Sequence, residues 1–412
     1  PISLLNTLGK VYEKANQIQI NEQFGFRAGH SCVNQVHRLT EDILKGFAIG
    51  KTTSTGALFF DVAKAFDKVW HNGLIYKLYT LGLPDRLVLI IRDYLTNRTF
   101  RYRVEGTLSS PRPIRAGVPQ GSALSPILYS LFTNDIPNPT QRVNLALFAD
   151  DIALYTTTPS TAVMTKRLQS AANALGVWFR KWRIAVNSDK SAAVHFTCNP
   201  IYIKNHKGNP GNISIFDQPI PWKSEVKYLG ITLDSKLNFQ SHIKRVCNRA
   251  AFVLGRLYVM LCGRSKMSLR NKTTLYKTFI RPIITYASPV FAHYKPSQIN
   301  RFQLIQNSFL RTATNSPWYI RNIDLHKNFK IDSIRAKRHS NPLIAQVCSY
   351  TSFRDFLLDS GVHTPFPPAE TRMLFCLRCR HASDGRKLNR TAQPLSRRTP
   401  TTVFDRPVYK TV

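Results

Sequence analysis

The stretch Leu145-Ala-Leu-Phe-Ala-Asp-Asp-Ile-Ala-Leu-Tyr155 places two adjacent carboxylates, Asp150 and Asp151, inside an otherwise apolar run. Ionised side chains are costly in such surroundings unless they are paired, lie in a turn or bind a cation. The flanking residues predict two strands, 143–148 and 152–155, which makes the stretch a β-hairpin with an acidic tip. A turn that uses Asp for its geometry and a divalent-metal site facing a phosphate-rich ligand both remain open.

The composition makes acidic residues scarce and indicates a polyanionic partner. The 58 Lys and Arg outnumber the 23 Asp and Glu, for a formal net charge of +35, which favours nucleic acid over an anionic lipid surface. The 412 residues, 43% of them hydrophobic, are enough for two or three globular domains. No apolar run approaches the length of a membrane span. The seven scattered cysteines do not suggest a disulfide framework and favour a reducing compartment.

Apolar periodicity predicts an α+β fold followed by a helical region. Helix patterns alternate with short strand patterns up to about residue 236, and strand signals stop beyond it. The predicted strands lie near 57–62, 99–104 with a returning strand up to 115, 143–148, 152–155, 192–197 and 227–233. The predicted helices include 160–182, 239–261, 266–281 and 297–313. From about residue 360 the chain is rich in Pro, Arg, Thr and Ser, and we expect it to be disordered.

A third carboxylate ends another predicted strand, Ala57-Leu-Phe-Phe-Asp-Val62. Strands that end side by side would bring Asp61 close to Asp150 and Asp151. Two Mg²⁺ ions that share such carboxylate oxygens can activate a hydroxyl group and stabilise the leaving oxygen of a phosphoryl transfer. The glycine-rich loop Gly117-Val-Pro-Gln-Gly-Ser122 lies between the two acidic strands in sequence.

Six blocks in order resemble the reverse transcriptases of non-long-terminal-repeat retrotransposons, most of all the insect jockey clade. They are Asn21-Glu-Gln-Phe-Gly-Phe-Arg-Ala-Gly-His-Ser31, Phe59-Phe-Asp-Val-Ala-Lys-Ala-Phe-Asp67, Gly117-Val-Pro-Gln-Gly-Ser-Ala-Leu-Ser-Pro126, Phe148-Ala-Asp-Asp151, Asn187-Ser-Asp-Lys190 and Val226-Lys-Tyr-Leu-Gly-Ile-Thr-Leu233. The resemblance covers roughly residues 1–330. A relative of group II intron maturases fits less well, because of the Phe-Ala-Asp-Asp form and the pattern from Gln306 to Pro317.

The resemblance implies a right-hand polymerase fold of class α+β. We expect partial fingers over residues 1–56 and an antiparallel-sheet palm with inserted fingers elements over 57–235. An α-helical thumb would follow over 236–330. Residues 331–412 would form a C-terminal extension that is largely disordered from about residue 360.

The implied activity is RNA-directed DNA polymerisation, in which deoxynucleotides are added to a primer 3′-hydroxyl on an RNA template. Asp61 and Asp150 would bind two Mg²⁺ ions, with Mn²⁺ as a possible substitute, and Asp151 would complete the acidic site. The carbonyl of Val62 would contact the nucleotide-bound metal. One metal would lower the pKa of the primer hydroxyl, and the other would hold the triphosphate.

The resemblance also implies a nucleotide pocket. Phe66 would be the steric gate whose ring fills the space that a ribose 2′-hydroxyl needs. Gln120 and Gly121 would line the pocket and the template edge, and Lys190 would neutralise or protonate the departing pyrophosphate. The residues alone leave other interpretations open: core packing for Phe66, an ordinary turn for Gln120 and Gly121, and solvated surface for Lys190.

Further residues are implied to contact nucleic acid. Tyr228, Leu229 and Gly230 would support the primer strand, although a buried strand fits them equally well. Arg27 and His30 could reach phosphates, or belong to a solvated loop. Basic residues along the predicted thumb helices suit a duplex backbone, while a solvated polar face is the alternative for each of them. They are Lys244, Arg245, Arg249, Arg256, Arg264, Lys266, Arg270 and Lys272.

Two other signals are given less weight. Cys376 and Cys379, with His381 nearby, resemble the start of a zinc site but lack a second ligand pair at usable spacing. Trp178 and Trp182 lie four residues apart on an apolar helix face, and we expect them to belong to the core.

The family's full protein has an upstream endonuclease and further fingers sequence, and neither precedes Pro1. We therefore expect a fragment or a decayed copy. A non-catalytic remnant that still binds RNA or DNA is the second hypothesis for its function. Target-primed synthesis in relatives implies access to the nucleus, with particle assembly in the cytoplasm.

Overall fold

The computed structural model describes residues 18–49, 53–139, 142–198, 210–291 and 296–334. The predicted disordered tail, the Cys376–Cys379 motif and the first 17 residues of the predicted partial fingers lie outside these residues. The described helices are α1 (Cys32–Ile49), α2 (His71–Thr80), α3 (Asp85–Leu95), α4 (Ser125–Phe132), α5 (Thr161–Lys181), α6 (Gln240–Arg256), α7 (Tyr258–Leu261), α8 (Leu269–Leu275), α9 (Arg281–Thr285), α10 (Ser288–Phe291), α11 (Pro296–Thr314) and α12 (Asn322–Phe329). The described strands are β1 (Ser54–Val62), β2 (Thr99–Phe100), β3 (Arg103–Val104), β4 (Thr107–Leu108), β5 (Arg112–Pro113), β6 (Asn144–Phe148), β7 (Asp151–Thr158), β8 (Val186–Phe196), β9 (Ser214–Ile215), β10 (Gln218–Pro219), β11 (Glu225–Tyr228) and β12 (Ile231–Asp234).

A four-stranded antiparallel sheet in the order β6-β7-β1-β8 forms the centre of the molecule. Its middle strand β1 is buried from Ser54 to Phe60, because both faces of the sheet are covered. Since side chains alternate between the faces of a strand, Leu58 and Phe60 enter one core and Ala57 and Phe59 enter the other. The α+β class predicted from the sequence is therefore confirmed.

The two cores have different helical partners. The core on the Leu58 side is built with α2, α3, α4 and α5, and it includes the tryptophans at positions 178 and 182. Both indole side chains are buried, as expected from their spacing. The core on the Phe59 side joins the sheet to α1 and to the helices that follow residue 240. The sheet and the C-terminal helices thus share one hydrophobic interior.

Two of the predicted C-terminal helices are shorter than their apolar patterns indicate, whereas α11 covers the predicted helix 297–313. The predicted helix 239–261 is divided at Leu257, and the predicted helix 266–281 begins at Leu269. A π-helical turn over Tyr276–Ile280 then leads into α9, whose second residue is Pro282. Proline lacks the backbone N–H that a continuous helix requires, but at the start of α9 that N–H has no partner within the helix, so Pro282 is tolerated there. Among the described helices, none has the length and apolar character needed to cross a membrane.

Candidate active site

The three predicted carboxylates meet at one end of the central sheet. The register of β1 and β7 places Asp61 directly opposite Asp151. The register of β6 and β7 pairs Phe148 with Asp151, which leaves Ala149 and Asp150 as a two-residue turn. Ala149 adopts a positive φ of 56°, a conformation that tight hairpin turns require of at least one central residue. The hairpin with an acidic tip is therefore confirmed, and it is joined to the end of β1.

The negative charges of this cluster influence one another. Partial burial raises the pKa of Asp151 to about 6, and the charges of Asp150 and Asp61 add to the shift. Burial also raises the pKa of Asp150, with a further contribution from Asp61. None of the ion pairs among the described residues includes these three side chains. The cluster is therefore a concentration of negative charge that no ion pair balances within the part of the chain that the structure describes.

The donor set fits a divalent cation that is completed by other ligands. Within the described residues, no three Asp, Glu, His or Cys side chains are arranged to enclose a metal ion by themselves. Mg²⁺ does not need such a cage, because it commonly binds one or two carboxylates together with substrate phosphates and water. Carboxylates that repel one another and form no ion pair among the described residues are suitable ligands for it. The carbonyl of Val62 belongs to the same end of β1.

The turn that carries Asp150 is fixed by a residue that sequence reasoning missed. The side-chain oxygen of Gln23 accepts hydrogen bonds from the backbone N–H groups of Gly25, at 2.8 Å, and Ala149, at 3.1 Å. Gly25 lies so close that a Cβ there would be 2.3 Å from the Ala149 nitrogen. The first sequence block contains both residues, but its glutamine gave no sign of this role because the contact spans 126 positions.

The edge strand β6 is covered by side chains from α1. Gln35 donates a hydrogen bond of 3.0 Å to the carbonyl of Leu147, and Arg38 donates one of 2.7 Å to the carbonyl of Leu145. Exposed strand edges offer unpaired backbone groups to other chains. The two side chains of α1 occupy two such carbonyl groups on β6. They also hold the strand that leads into the acidic turn.

Removal of the Gln23 acceptor should destabilise the protein. Gln23→Leu leaves the buried N–H groups of Gly25 and Ala149 without their partner, which should lower the free energy of unfolding by about 2–3 kcal/mol. Urea denaturation followed by circular dichroism measures this change. Gln19→Leu is the matched control, because Gln19 is also buried but its side-chain oxygen accepts no hydrogen bond. Equal losses in the two variants would contradict the stabilising role of the two hydrogen bonds that the Gln23 side-chain oxygen accepts.

Lys190 lies in a bulge of β8 beside β1. The pairing of β1 with β8 shifts between Phe59 and Asp61, so that residues 188–191 on β8 are left outside the ladder. Asn187 closes this bulge, since its side-chain oxygen accepts from the N–H groups of Asp189 and Lys190. The hydroxyl of Ser191 accepts from the N–H of Asp61 at 3.2 Å. The bulge thus exposes Lys190 next to the strand end that carries Asp61.

The glycine-rich loop is packed against the segment that follows β1. Gly117 has a φ of +93°, and a Cβ there would lie 2.6 Å from the carbonyl oxygen of Asp67. The Asp67 carboxylate accepts a hydrogen bond of 2.7 Å from Gln120, which holds that exposed side chain in place. Gly121 also has a positive φ, but no atom lies within 4 Å of its Cβ position. Backbone conformation alone accounts for that glycine, and the open space beside it could admit a ligand.

Phe66 is half-buried between two aromatic rings. It stacks on Tyr129 with a centroid distance of 4.9 Å and meets the edge of Phe26 at 6.2 Å. Burial raises the pKa of Tyr129, and the charges of Asp150 and Asp151 add to this effect. Tyr129 therefore links Phe66 to the acidic cluster. Neither aromatic neighbour was singled out from the sequence.

The segment around Tyr228 is a hairpin, whereas the sequence predicted a single strand over 227–233. Leu229 and Gly230 form the turn, both with positive φ, between β11 and β12. Tyr228 is 3% exposed and packs on Phe59, so its side chain belongs to the core. The turn itself is held from outside, where Tyr286 donates to the Leu229 carbonyl and Arg245 donates to the Gly230 carbonyl.

The remaining predicted contacts differ in their exposure. Lys244, Arg245 and Arg249 are exposed on α6. In the first block, Arg27 is half-buried and donates to the carbonyl of Ile20 at 3.1 Å. His30, also half-buried, makes a 2.9 Å hydrogen bond with the Ala28 carbonyl and an edge contact with the ring of Phe24.

Lys272 does not share the exposure expected of a phosphate contact. It is 2% exposed, and its ammonium group donates to the carbonyls of Cys262 and Ala313 at 2.8 and 3.3 Å. These carbonyls follow α7 and lie in the last turn of α11, so Lys272 joins helices. Its position on an apolar helix face concealed this role in the sequence.

The repulsion within the acidic cluster should appear in the pH dependence of stability. An unfolded Asp titrates near pH 4, whereas the pKa of Asp151 is raised to about 6, so the folded protein takes up this proton first. Without metal, the contribution of Asp151 to stability should therefore rise as the pH falls from about 7 to about 4. Asp151→Asn should melt about 1–2 °C above the wild type in EDTA at pH 7.5, a modest shift because solvent still reaches this partly buried carboxylate and screens its charge.

The difference between Asp151→Asn and the wild type should close at about pH 5, where the wild-type carboxyl is also neutral. Differential scanning calorimetry at the two pH values measures it. A variant that melts below the wild type at pH 7.5 would contradict the repulsion that we infer among the three carboxylates.

Residues 1–233 match the family model described as reverse transcriptase (RNA-dependent DNA polymerase). The match covers more than half of the chain, and the chain belongs to the reverse transcriptase family. The relationship inferred from the six blocks is therefore confirmed.

Relatives from mobile elements cover most of the chain. It is 36% identical over 361 residues to the probable RNA-directed DNA polymerase from transposon BS, and 35% identical over 355 residues to the RNA-directed DNA polymerase from mobile element jockey, both of Drosophila melanogaster. The alignments cover 83% and 82% of this chain, but 39% and 38% of the relatives, so the chain spans about two-fifths of their length. Among solved structures, Candida albicans telomerase in complex with a fragment of telomeric RNA aligns over 80% of this chain and 58% of its own, with 11% identity and a TM-score of 0.44.

Proposed function

We propose that this chain catalyses RNA-directed DNA synthesis, adding deoxynucleotides to a primer 3′-hydroxyl on an RNA template. The observation that carries the proposal is the cluster of Asp61, Asp150 and Asp151 on paired strand ends, which forms no ion pair among the described residues. Membership of the reverse transcriptase family gives this cluster a specific chemistry. The sheet would be the palm of a right-hand polymerase, and the helices from Gln240 onward would be the thumb.

Asp61 and Asp150 would hold two divalent cations, with Mg²⁺ the natural choice, Mn²⁺ a possible substitute and the Val62 carbonyl an additional ligand. When bound, these ions lower the pKa of the primer hydroxyl and neutralise the charge that develops on the phosphates. Asp151, across the strand pair from Asp61, would strengthen the negative field that attracts them. Exposed Lys190, in the bulge beside β1, would meet the departing pyrophosphate.

The nucleotide would lie between Phe66 and the loop at Gln120 and Gly121. The hydrogen bond from Gln120 to Asp67 supports this arrangement, because it ties the loop to the same segment that carries Phe66. The ring of Phe66 is held by Tyr129 and would exclude a ribose 2′-hydroxyl. Open space at Gly121 would let the nucleotide or the template approach the backbone closely.

The primer–template duplex would follow α6. Arg245, Arg249, Phe252 and Arg256 are exposed and spaced so that they share one face of this helix. The hydrogen bond from Arg245 to the Gly230 carbonyl connects this face to the β11–β12 turn, which would support the primer end through its backbone rather than through Tyr228. The face extends over about 16 Å, which suits successive phosphates of a duplex.

Loss of one proposed metal ligand should abolish synthesis. Asp150→Asn removes a charge that both cations would need, and primer extension on poly-rA/oligo-dT with Mg²⁺ should fall by at least about a thousandfold. Asp217→Asn is the matched control, since Asp217 is an exposed carboxylate in the turn between β9 and β10. Extension that survives in Asp150→Asn would refute the metal assignment. Wild-type protein that is folded and binds RNA but does not extend a primer would instead indicate a non-catalytic remnant.

Sugar selectivity provides a separate test of Phe66. Phe66→Val opens space beside Tyr129 and should raise incorporation of ribonucleotides relative to deoxynucleotides by about tenfold or more. The ratio of kcat/KM for the two nucleotide classes measures this effect, and deoxynucleotide incorporation by the same variant is the internal control. An unchanged ratio would leave Phe66 as a packing residue.

A further inference from the structure

A projecting β-ribbon between α3 and the glycine-rich loop has no role in the site described above. Strands β2 and β5 pair at its base, and β3 and β4 pair at its tip around a turn at Glu105 and Gly106, both with positive φ. Every residue from 99 to 113 is exposed. The ribbon therefore buries no apolar face of its own. In most sheets, by contrast, aromatic residues on the strands pack against a hydrophobic core.

The ribbon carries a dense and nearly one-signed charge. Residues 98–115 contain five arginines and a single acidic residue, Glu105. Arg101, Arg103, Arg112 and Arg115 are all exposed, and none of the ion pairs among the described residues includes them. Unpaired guanidinium groups at this density favour a polyanion.

Aromatic rings alternate with the arginines along the first half of the ribbon, Arg98-Thr-Phe-Arg-Tyr-Arg103. Phe100 is 37% exposed and Tyr102 is 66% exposed, and their ring centroids lie 5.2 Å apart in an edge-to-face contact. The rings thus support each other on one side while a large part of their surface stays in water. Exposed rings among cationic side chains are the combination that binds single-stranded nucleic acid, because bases stack on the rings while the cations meet the phosphates.

The base of the ribbon is joined to the proposed nucleotide pocket. The N–H of Ile114 donates to the carbonyl of Arg98 at 2.8 Å, and only Arg115 and Ala116 separate this closure from Gly117. Tyr94 at the end of α3 donates to the hydroxyl of Ser122 at 2.8 Å, which ties the other side of the ribbon base to the same loop. A strand bound on the ribbon would therefore be continuous with a strand at the pocket.

We propose that the ribbon over residues 98–115 binds the single-stranded part of the template, before it enters the active site. The direction that we assign to the bound strand rests on the polymerase function proposed above. The affinity for single strands follows from the ribbon's own rings and charges. Phe100 and Tyr102 stack on bases, and Arg101, Arg103 and Arg112 contact phosphates.

The first test is the affinity of the full chain for a fluorescein-labelled single-stranded oligo(rU), measured by anisotropy at fixed salt. Tyr102→Ser should weaken binding at least about fivefold, because stacking on one ring contributes that much or more. Tyr319→Ser is the matched control, since Tyr319 is 68% exposed and also makes an edge contact with an exposed neighbour, Trp318. The affinity for a blunt RNA–DNA duplex should not change in either variant.

The second test separates the charges from the rings. Arg101→Gln combined with Arg103→Gln should reduce the slope of log affinity against log salt by about 1.4, the value for two phosphate contacts on a single strand. Tyr102→Ser should leave the slope as in the wild type. The control pair, Lys166→Gln with Lys223→Gln, removes the same charge from other exposed positions and should change the slope little.

Unchanged single-strand affinity in Tyr102→Ser, or an equal loss in Tyr319→Ser, would overturn the proposal. The proposal would also be overturned if Tyr102→Ser lost as much affinity for the blunt duplex as for the single strand. Primer extension on templates with short and long 5′ overhangs tests the direction of the bound strand. Tyr102→Ser should slow synthesis only on the template with the long overhang. If the wild type does not extend primers, the proposed function fails, while the binding comparison still decides whether the ribbon holds a single strand.

Discussion

The register between β1 and β7 is the constraint on which the rest of the site depends, because it sets Asp61 directly opposite Asp151. Side chains alternate strictly along a strand, so a slip of one residue would turn Asp61 to the opposite face of the sheet. The same slip would exchange the two cores, since Leu58 and Phe60 face one group of helices while Ala57 and Phe59 face the other. Hydrophobic burial along β1 therefore fixes the position of the carboxylates with no contribution from the carboxylates themselves.

The arrangement places repelling charges and a strained turn at one strand end, and the surrounding structure holds both in place. Gln23 satisfies the N–H of Ala149, whose positive φ shapes the acidic turn, and the β8 bulge brings Ser191 to the N–H of Asp61. Gly117 allows the glycine-rich loop to contact the backbone of Asp67. These contacts connect segments far apart in sequence to the same few residues, so the protein's own packing sets the geometry of the site.

Much of this could be predicted from the sequence, because the informative signals are local. The acidic hairpin follows from apolar strands on both sides of Ala149-Asp150, and the α5 helix follows from its periodic apolar face. The order of the motifs predicted the family. Long-range contacts left no such signal. The hydrogen bonds to Gln23 and the burial of Lys272 depend on which segments become neighbours, which no local pattern encodes. The breaks in the C-terminal helices were missed because their apolar pattern continues across them.

Binding of Mn²⁺, followed by electron paramagnetic resonance in the presence of a deoxynucleoside triphosphate, tests the central claim most directly. If the β1–β7 register assembles a cation site from Asp61 and the acidic turn, the full chain should bind Mn²⁺ beyond what the nucleotide alone binds at pH 7.5. Binding should weaken toward pH 5, as the carboxyl groups with raised pKa values become protonated. Asp61→Asn should lose this binding, while Asp217→Asn should keep it. Equal Mn²⁺ binding by Asp61→Asn and the wild type would contradict the account.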